Sequence, residues 1–201
     1  MTFYRFPQLT YLENWYENSP ESFIFSIKVP RLITHYKQLS GTEGMLGDFY
    51  GSIYLGLKEK LGCVLFQFPE RLLFNEERLD RIVRSLDPSF TNVVEFRHPS
   101  WWNVNVFETL KKYSIVFCGQ SHPNLPEEVV TNDAIVYYRF HGSPVLYKSQ
   151  YQKKKIHDVV DQIRQAENTN QVYIYFNNTM GVAAIRNAHQ TLAYWKTLSG
   201  Q

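Results

Sequence analysis

Three apolar runs in this chain break off on polar clusters: Val93-Val94-Glu95-Phe96-Arg97-His98, Val136-Tyr137-Tyr138-Arg139-Phe140-His141-Gly142 and Tyr173-Ile174-Tyr175-Phe176-Asn177-Asn178. A buried strand that stops on Glu, Arg, His or Asn loses stability unless those groups meet partners or water. Several strands ending alike therefore point to one shared polar site at the strand ends. Six β-type runs are present, Phe23 to Val29, Cys63 to Phe68, Asn92 to Arg97, Ser114 to Cys118, Ala134 to His141 and Val172 to Asn177. They are continuous in apolar character rather than alternating, as expected of strands covered on both faces of a parallel sheet.

Segments of helical period separate most of these runs. Leu79, Ile82, Val83 and Leu86 form one apolar stripe, Ile156, Val159, Val160 and Ile163 a second, and Ile185, Ala188, Leu192 and Trp195 a third. Thr42 to Leu61 reads as a further helix, weakened by Gly47, Gly51 and Gly56. His122 to Asp133, with two prolines and no period, reads as a loop. Alternating β and α leaves an open doubly wound sheet or a closed (β/α) barrel. No GxGxxG or GxxxxGK[ST] phosphate loop occurs, so the barrel gains, and the cofactor is left open. The expected fold is a TIM-like α/β barrel, incomplete because six strands stand where a closed barrel has eight.

Composition narrows the function classes. A chain of 201 residues with 44% hydrophobic content can bury one core, so a single domain over 1–201 is expected. A net charge of +2 is too mild for a nucleic-acid surface, and Lys153-Lys154-Lys155 reads as solvated helix. Cys63 and Cys118 sit inside apolar runs as core thiols, which fits a reducing compartment. The start Met1-Thr2-Phe3-Tyr4-Arg5-Phe6-Pro7 has no signal-peptide pattern, and no segment is long and apolar enough to span a membrane. A cytoplasmic protein is expected.

Spaced motifs carry a resemblance that covers residue 2 to about residue 195. They are Thr2-Phe3-Tyr4-Arg5 with Pro7, Phe25-Ser26-Ile27-Lys28-Val29-Pro30 with Thr34-His35, Leu65-Phe66-Gln67-Phe68-Pro69, Glu95-Phe96-Arg97-His98 with Trp101, Arg139-Phe140-His141-Gly142, and Tyr175-Phe176-Asn177-Asn178. The series resembles the DUF72 (YecE-like, UPF0759-type) family. The resemblance implies a TIM-like barrel of uncharacterised biochemical function. It also implies a chain without the family's opening strands, since members usually begin with a Gly-Thr-Ser-Gly-Trp type strand that precedes the Phe-Tyr-Arg motif.

In a parallel barrel, Lys28, Gln67, Glu95, Arg97, Arg139, His141 and Asn177 fall near one end, with His35, His98 and Trp101 on the loops beyond. Alternation along a strand turns Glu95 and Arg97 the same way, and Arg139 and His141 likewise, while Phe96 and Phe140 face the helices. Glu95 and His141 are the candidate proton-transfer groups. Lys28, His35, Arg97, His98, Trp101, Arg139, Asn177 and Asn178 are the candidate ligand contacts, and no metal set is assigned because no HxH or HExxH spacing appears. Asn178 or Thr179 is expected to cap the helix after the last strand, which would offer an anion free backbone N–H groups.

Three function classes follow. The first is an acid/base enzyme acting on a small polar, anionic or phosphorylated metabolite. A non-catalytic module for a nucleotide, oligonucleotide or protein is the second, and an inactive remnant the third. The bland reading of the same charges is a self-satisfied layer in which Glu95 pairs with Arg97 or Arg139. Edges at Phe23 to Val29 and Val172 to Asn177 are expected to leave sheet groups open for self-association.

Overall fold

Each apolar run becomes a strand, and every strand pairing within a unit is parallel. The computed structural model describes residues 2–200, and the chain divides into two compact units, Met1–Ile115 and Val116–Gln201. The N-terminal unit runs α1 (Leu9–Glu17), β1 (Phe25–Lys28), α2 (Glu43–Leu57), β2 (Leu61–Gln67), α3 (Glu76–Ser85), β3 (Thr91–Glu95) and α4 (Val104–Lys112). The C-terminal unit runs β4 (Val116–Ser121), β5 (Ile135–Phe140), α5 (Lys153–Arg164), β6 (Gln171–Phe176) and α6 (Ala183–Leu198). Strands and helices repeated in this order, with parallel pairing in both units, make an α/β fold of the TIM-like class. It is incomplete, with six strands among the described residues against eight in a closed barrel.

The registers decide which residues share a face. Cys63, Leu65 and Gln67 lie opposite Thr91, Val93 and Glu95, so these six share one face. Val64, Phe66 and Val94 take the other face, towards the helices. On that side Phe68 and Phe96 stack at 5.4 Å, and Phe96 stacks on Trp101 at 3.9 Å. In the C-terminal unit Val136, Tyr138 and Phe140 pack with Ile156, Val159, Val160 and Ile163 of α5. Helix starts follow capping chemistry: Asn75 and Asn103 side chains accept from Arg78 N and Val106 N and open α3 and α4.

Three expectations change. Neither α1 nor α4 was marked by its pattern, since α1 buries only Leu12 and α4 only Val106 and Leu110. The fourth strand runs to Ser121, so Cys118 is mid-strand and buried. The stripe of α6 is turned outward: Ile185 is 62% and Leu192 54% exposed. Its inner face instead carries Ala184, Asn187 and Thr191. The reason is hydrogen bonding, because Asn187 donates to Tyr151 O at 2.9 Å, accepts from Tyr151 N at 3.1 Å and accepts from Asn178 Nδ2 at 3.1 Å. A polar clamp at Asn187, together with Tyr194 and Trp195 packed against the α5 cluster, orients this helix.

Candidate functional site

The three strands of the N-terminal unit end on Lys28, Gln67 and Glu95. Lys28 Nζ donates to Gln67 Oε1 at 2.6 Å. An ammonium offers no acceptor, so this bond sets the orientation of the Gln67 amide and leaves Nε2 as its donor. That Nε2 donates to Phe68 O at 3.0 Å and to His35 Nε2 at 3.3 Å. His35 Nε2 is thus an acceptor, its proton lies on Nδ1, and Nδ1 donates to Thr34 Oγ1 at 2.9 Å. Lys28, Gln67, His35 and Thr34 form one directed chain of hydrogen bonds that requires neutral imidazole.

Electrostatics agree with a neutral ring. Burial, followed by the charges of Lys28, Arg71, Arg97 and Arg31, lowers the His35 pKa from 6.5 to about 4. Arg71 also donates to the His35 carbonyl at 2.7 Å, and Lys28 Nζ lies 3.8 Å from the centre of the Phe3 ring. His35 is carried by a π-helical turn, Leu32–Tyr36, in which Lys37 N donates to Leu32 O at 3.0 Å. Such turns are rare and recur at functional sites. The turn is followed by Gln38 and Leu39 at φ 47° and 63°, a left-handed pair without glycine. Burial of the Leu39 side chain and its N–H bond to Ile33 O at 3.1 Å offset that strain.

Beside this chain, Arg97 Nε donates to Glu95 Oε1 at 2.5 Å, with Glu95 fully buried and Arg97 9% exposed. Two candidates serve other ends. His98 Nδ1 accepts from Ser100 N at 3.2 Å and caps the short turn Pro99–Trp101. Trp101 is a core residue, fully buried between Phe96 and Phe74, with Nε1 donating to Leu72 O at 2.7 Å.

In the C-terminal unit, Arg139 lies opposite Gln120 on β4 and Tyr175 on β6. His141 and Asn177 follow β5 and β6 directly, and Asn177 Nδ2 donates to His141 Nδ1 at 3.1 Å. Asn178 is drawn away, because its Nδ2 donates to Ser149 O at 2.9 Å and to Asn187 Oδ1 at 3.1 Å. Neither Asn178 nor Thr179 caps α6. That helix starts at Ala183 behind Val182 with no side-chain cap, and Met180 N, ahead of it, donates to Tyr147 O at 3.1 Å.

A second network, absent from the sequence candidates, surrounds Ser121. Ser121 Oγ donates to Glu127 Oε1 at 2.6 Å and accepts from Tyr151 OH at 2.9 Å, and Lys155 Nζ meets Glu127 Oε2 at 2.6 Å. It ties the loop after β4 to α5. Among the described residues no group of three His, Cys, Asp or Glu side chains is placed to hold a metal ion.

A family model described as protein of unknown function DUF72 matches residues 1–199. The chain belongs to the DUF72 family. A crystal structure of a DUF72 family protein from Thermotoga maritima is 23% identical, with 98% of this chain and 82% of that chain covered at a TM-score of 0.85. A DUF72 family protein from Enterococcus faecalis is 21% identical, with 100% and 87% covered at a TM-score of 0.84. At these identities the likeness establishes the DUF72 fold. Comparison with curated proteins found no match.

Proposed function

We propose that the strand ends of the N-terminal unit bind the anionic group of a small polar metabolite, on which the protein performs acid/base chemistry. One observation carries this: four cations, Lys28, Arg31, Arg71 and Arg97, act on a single neutral imidazole, and the pair partner of Arg97 is Glu95. The positive excess at the C-terminal ends of parallel strands is the setting in which barrel enzymes hold phosphates and carboxylates. Glu95 is the carboxylate assigned to this unit, and His141, oriented by Asn177, is the imidazole assigned to the C-terminal unit. Two buried free thiols, Cys63 and Cys118, support a reducing, cytoplasmic setting.

A non-catalytic binding role has its own support. The rings of Tyr4 and Tyr36, each 60% exposed, flank the Arg31 guanidinium at 5.1 and 5.5 Å. Such a platform accepts a planar ligand without any chemistry.

Calorimetric titration with inorganic phosphate tests the anion site. Lys28→Met removes an ammonium while Phe3 still packs its stem, and affinity is expected to fall about tenfold, equivalent to about 1.4 kcal/mol. With sulfate, whose charge stays constant, binding is also expected to strengthen as pH falls from about 6 to about 4, because a bound anion raises the His35 pKa above about 4 and favours the protonated imidazole. Equal affinity in Lys28→Met and the parent protein would remove Lys28 from the site. Turnover of phosphorylated metabolites, followed by product analysis, separates the enzyme from the binding module.

A further inference from the structure

The cations at the N-terminal unit's strand ends adjoin a groove of about 470 Å³, lined among others by Thr2, Tyr4, Arg5, Tyr11 and Trp15. That size suits a small ligand. Two links tie the groove to the strand ends. Thr2 Oγ1 donates to Lys28 O at 2.6 Å, and Arg31 N donates to Phe3 O at 2.8 Å. The Phe3 ring so held lies 3.8 Å from Lys28 Nζ, 5.1 Å from the His35 ring and 5.1 Å from the Tyr4 ring. Tyr4 stands at the junction, because it lines the groove and its ring also takes the Arg31 guanidinium at 5.1 Å.

The chemistry of the walls says what fits between them. Tyr11 and Trp15 are four residues apart and share one face of α1, and Trp15 is fixed by stacking on Phe25 at 6.2 Å. Tyr4 and Tyr11 leave their rings exposed. Flat faces of this kind gain most from another flat ring, since stacking adds to the area covered. Arg5 in the wall and Arg31 over Tyr4 repel a cationic ligand and attract the face of an electron-rich ring. We propose that the anionic metabolite held at the strand ends carries an aromatic ring, and that this ring lies in the groove of Tyr4, Tyr11 and Trp15. The inference rests on the anion site proposed above and supplies the half of the ligand that the cations do not hold. Nucleoside monophosphates and simple aryl phosphates share this chemistry and differ in the reach from ring to phosphate.

Calorimetric titration of the whole chain compares each ring-bearing phosphate with a ring-free counterpart, AMP with ribose 5-phosphate and phenyl phosphate with inorganic phosphate. In at least one pair the ring-bearing compound is expected to bind about tenfold more tightly. A preference in the AMP pair assigns a ring held at a distance from the phosphate, and one in the phenyl phosphate pair a ring beside it. Tyr4→Leu and Tyr11→Leu exchange exposed ring faces for aliphatic bulk, and each is expected to cut that affinity ratio at least about threefold. Circular dichroism reports whether each variant is folded. Ratios near one in both pairs, with the phosphates still bound, would overturn the ring site and leave the anion site standing. So would a ratio that neither folded variant changes. If none of the four compounds binds, the anion site falls and this inference falls with it.

Discussion

Glu95→Ala is expected to lower folding stability by about 3–5 kcal/mol, measured as a shift in a urea-unfolding midpoint at unchanged slope. Glu95 is fully buried and its carboxylate takes Arg97 Nε at 2.5 Å, with the guanidinium itself 9% exposed. Removal of the carboxylate takes the acceptor of Nε from a nearly buried guanidinium, and breaking a buried ion pair at one partner is costly. The pair need not add net stability over an apolar replacement, so Glu95→Met with Arg97→Leu is expected to recover much of the loss. A loss below about 1 kcal/mol for Glu95→Ala would mean that other groups carry the Arg97 charge.

Asn187→Ala is expected to cost about 3 kcal/mol by the same measurement. Asn187 is fully buried on the inward face of α6. Its amide holds both the N–H and the carbonyl of Tyr151 and accepts from Asn178, and it also donates to Gln190 Oε1 at 3.1 Å. Alanine leaves a buried backbone donor and acceptor unmet at once. The loss should spread further, because Tyr151 OH accepts from Gly142 N at 2.7 Å and donates to Ser121 Oγ at 2.9 Å. An unchanged midpoint would show that α6 is held by packing instead.

These two residues also show what the sequence could reveal. Continuous apolar runs with helical stripes between them were enough for parallel βα repeats, because a strand buried on both faces leaves no polar alternation. Side-chain alternation was enough to place Glu95 and Arg97 on one face, where they bond. The stripe on α6 was equally visible, but a pattern says which face is apolar and not what covers it. Asn187, four residues before Thr191, gave no signal because its partners Tyr151 and Asn178 lie 36 and 9 residues away.

The His35 environment was hidden for a related reason. Gln67 reaches it across 32 residues and Lys28 reaches Gln67 across 39, so the directed chain exists only after three strands are in register. Gln38 and Leu39 gave no local warning of a left-handed turn, since neither is Gly, Asn or Asp. Trp101 and His98 attracted attention as polar or aromatic residues near a strand end. The structure spends the first on packing and the second on a cap.

The anion site is tested most directly by following the His35 imidazole through a pH titration by NMR, with and without saturating phosphate. Without phosphate, burial and the four surrounding cations are expected to hold its pKa at about 4. With phosphate, the bound anion offsets those cations and the pKa is expected to rise by about 1 unit or more, and to rise less in Lys28→Met. A His35 resonance that titrates at the same pH with and without phosphate would contradict an anion site at these strand ends.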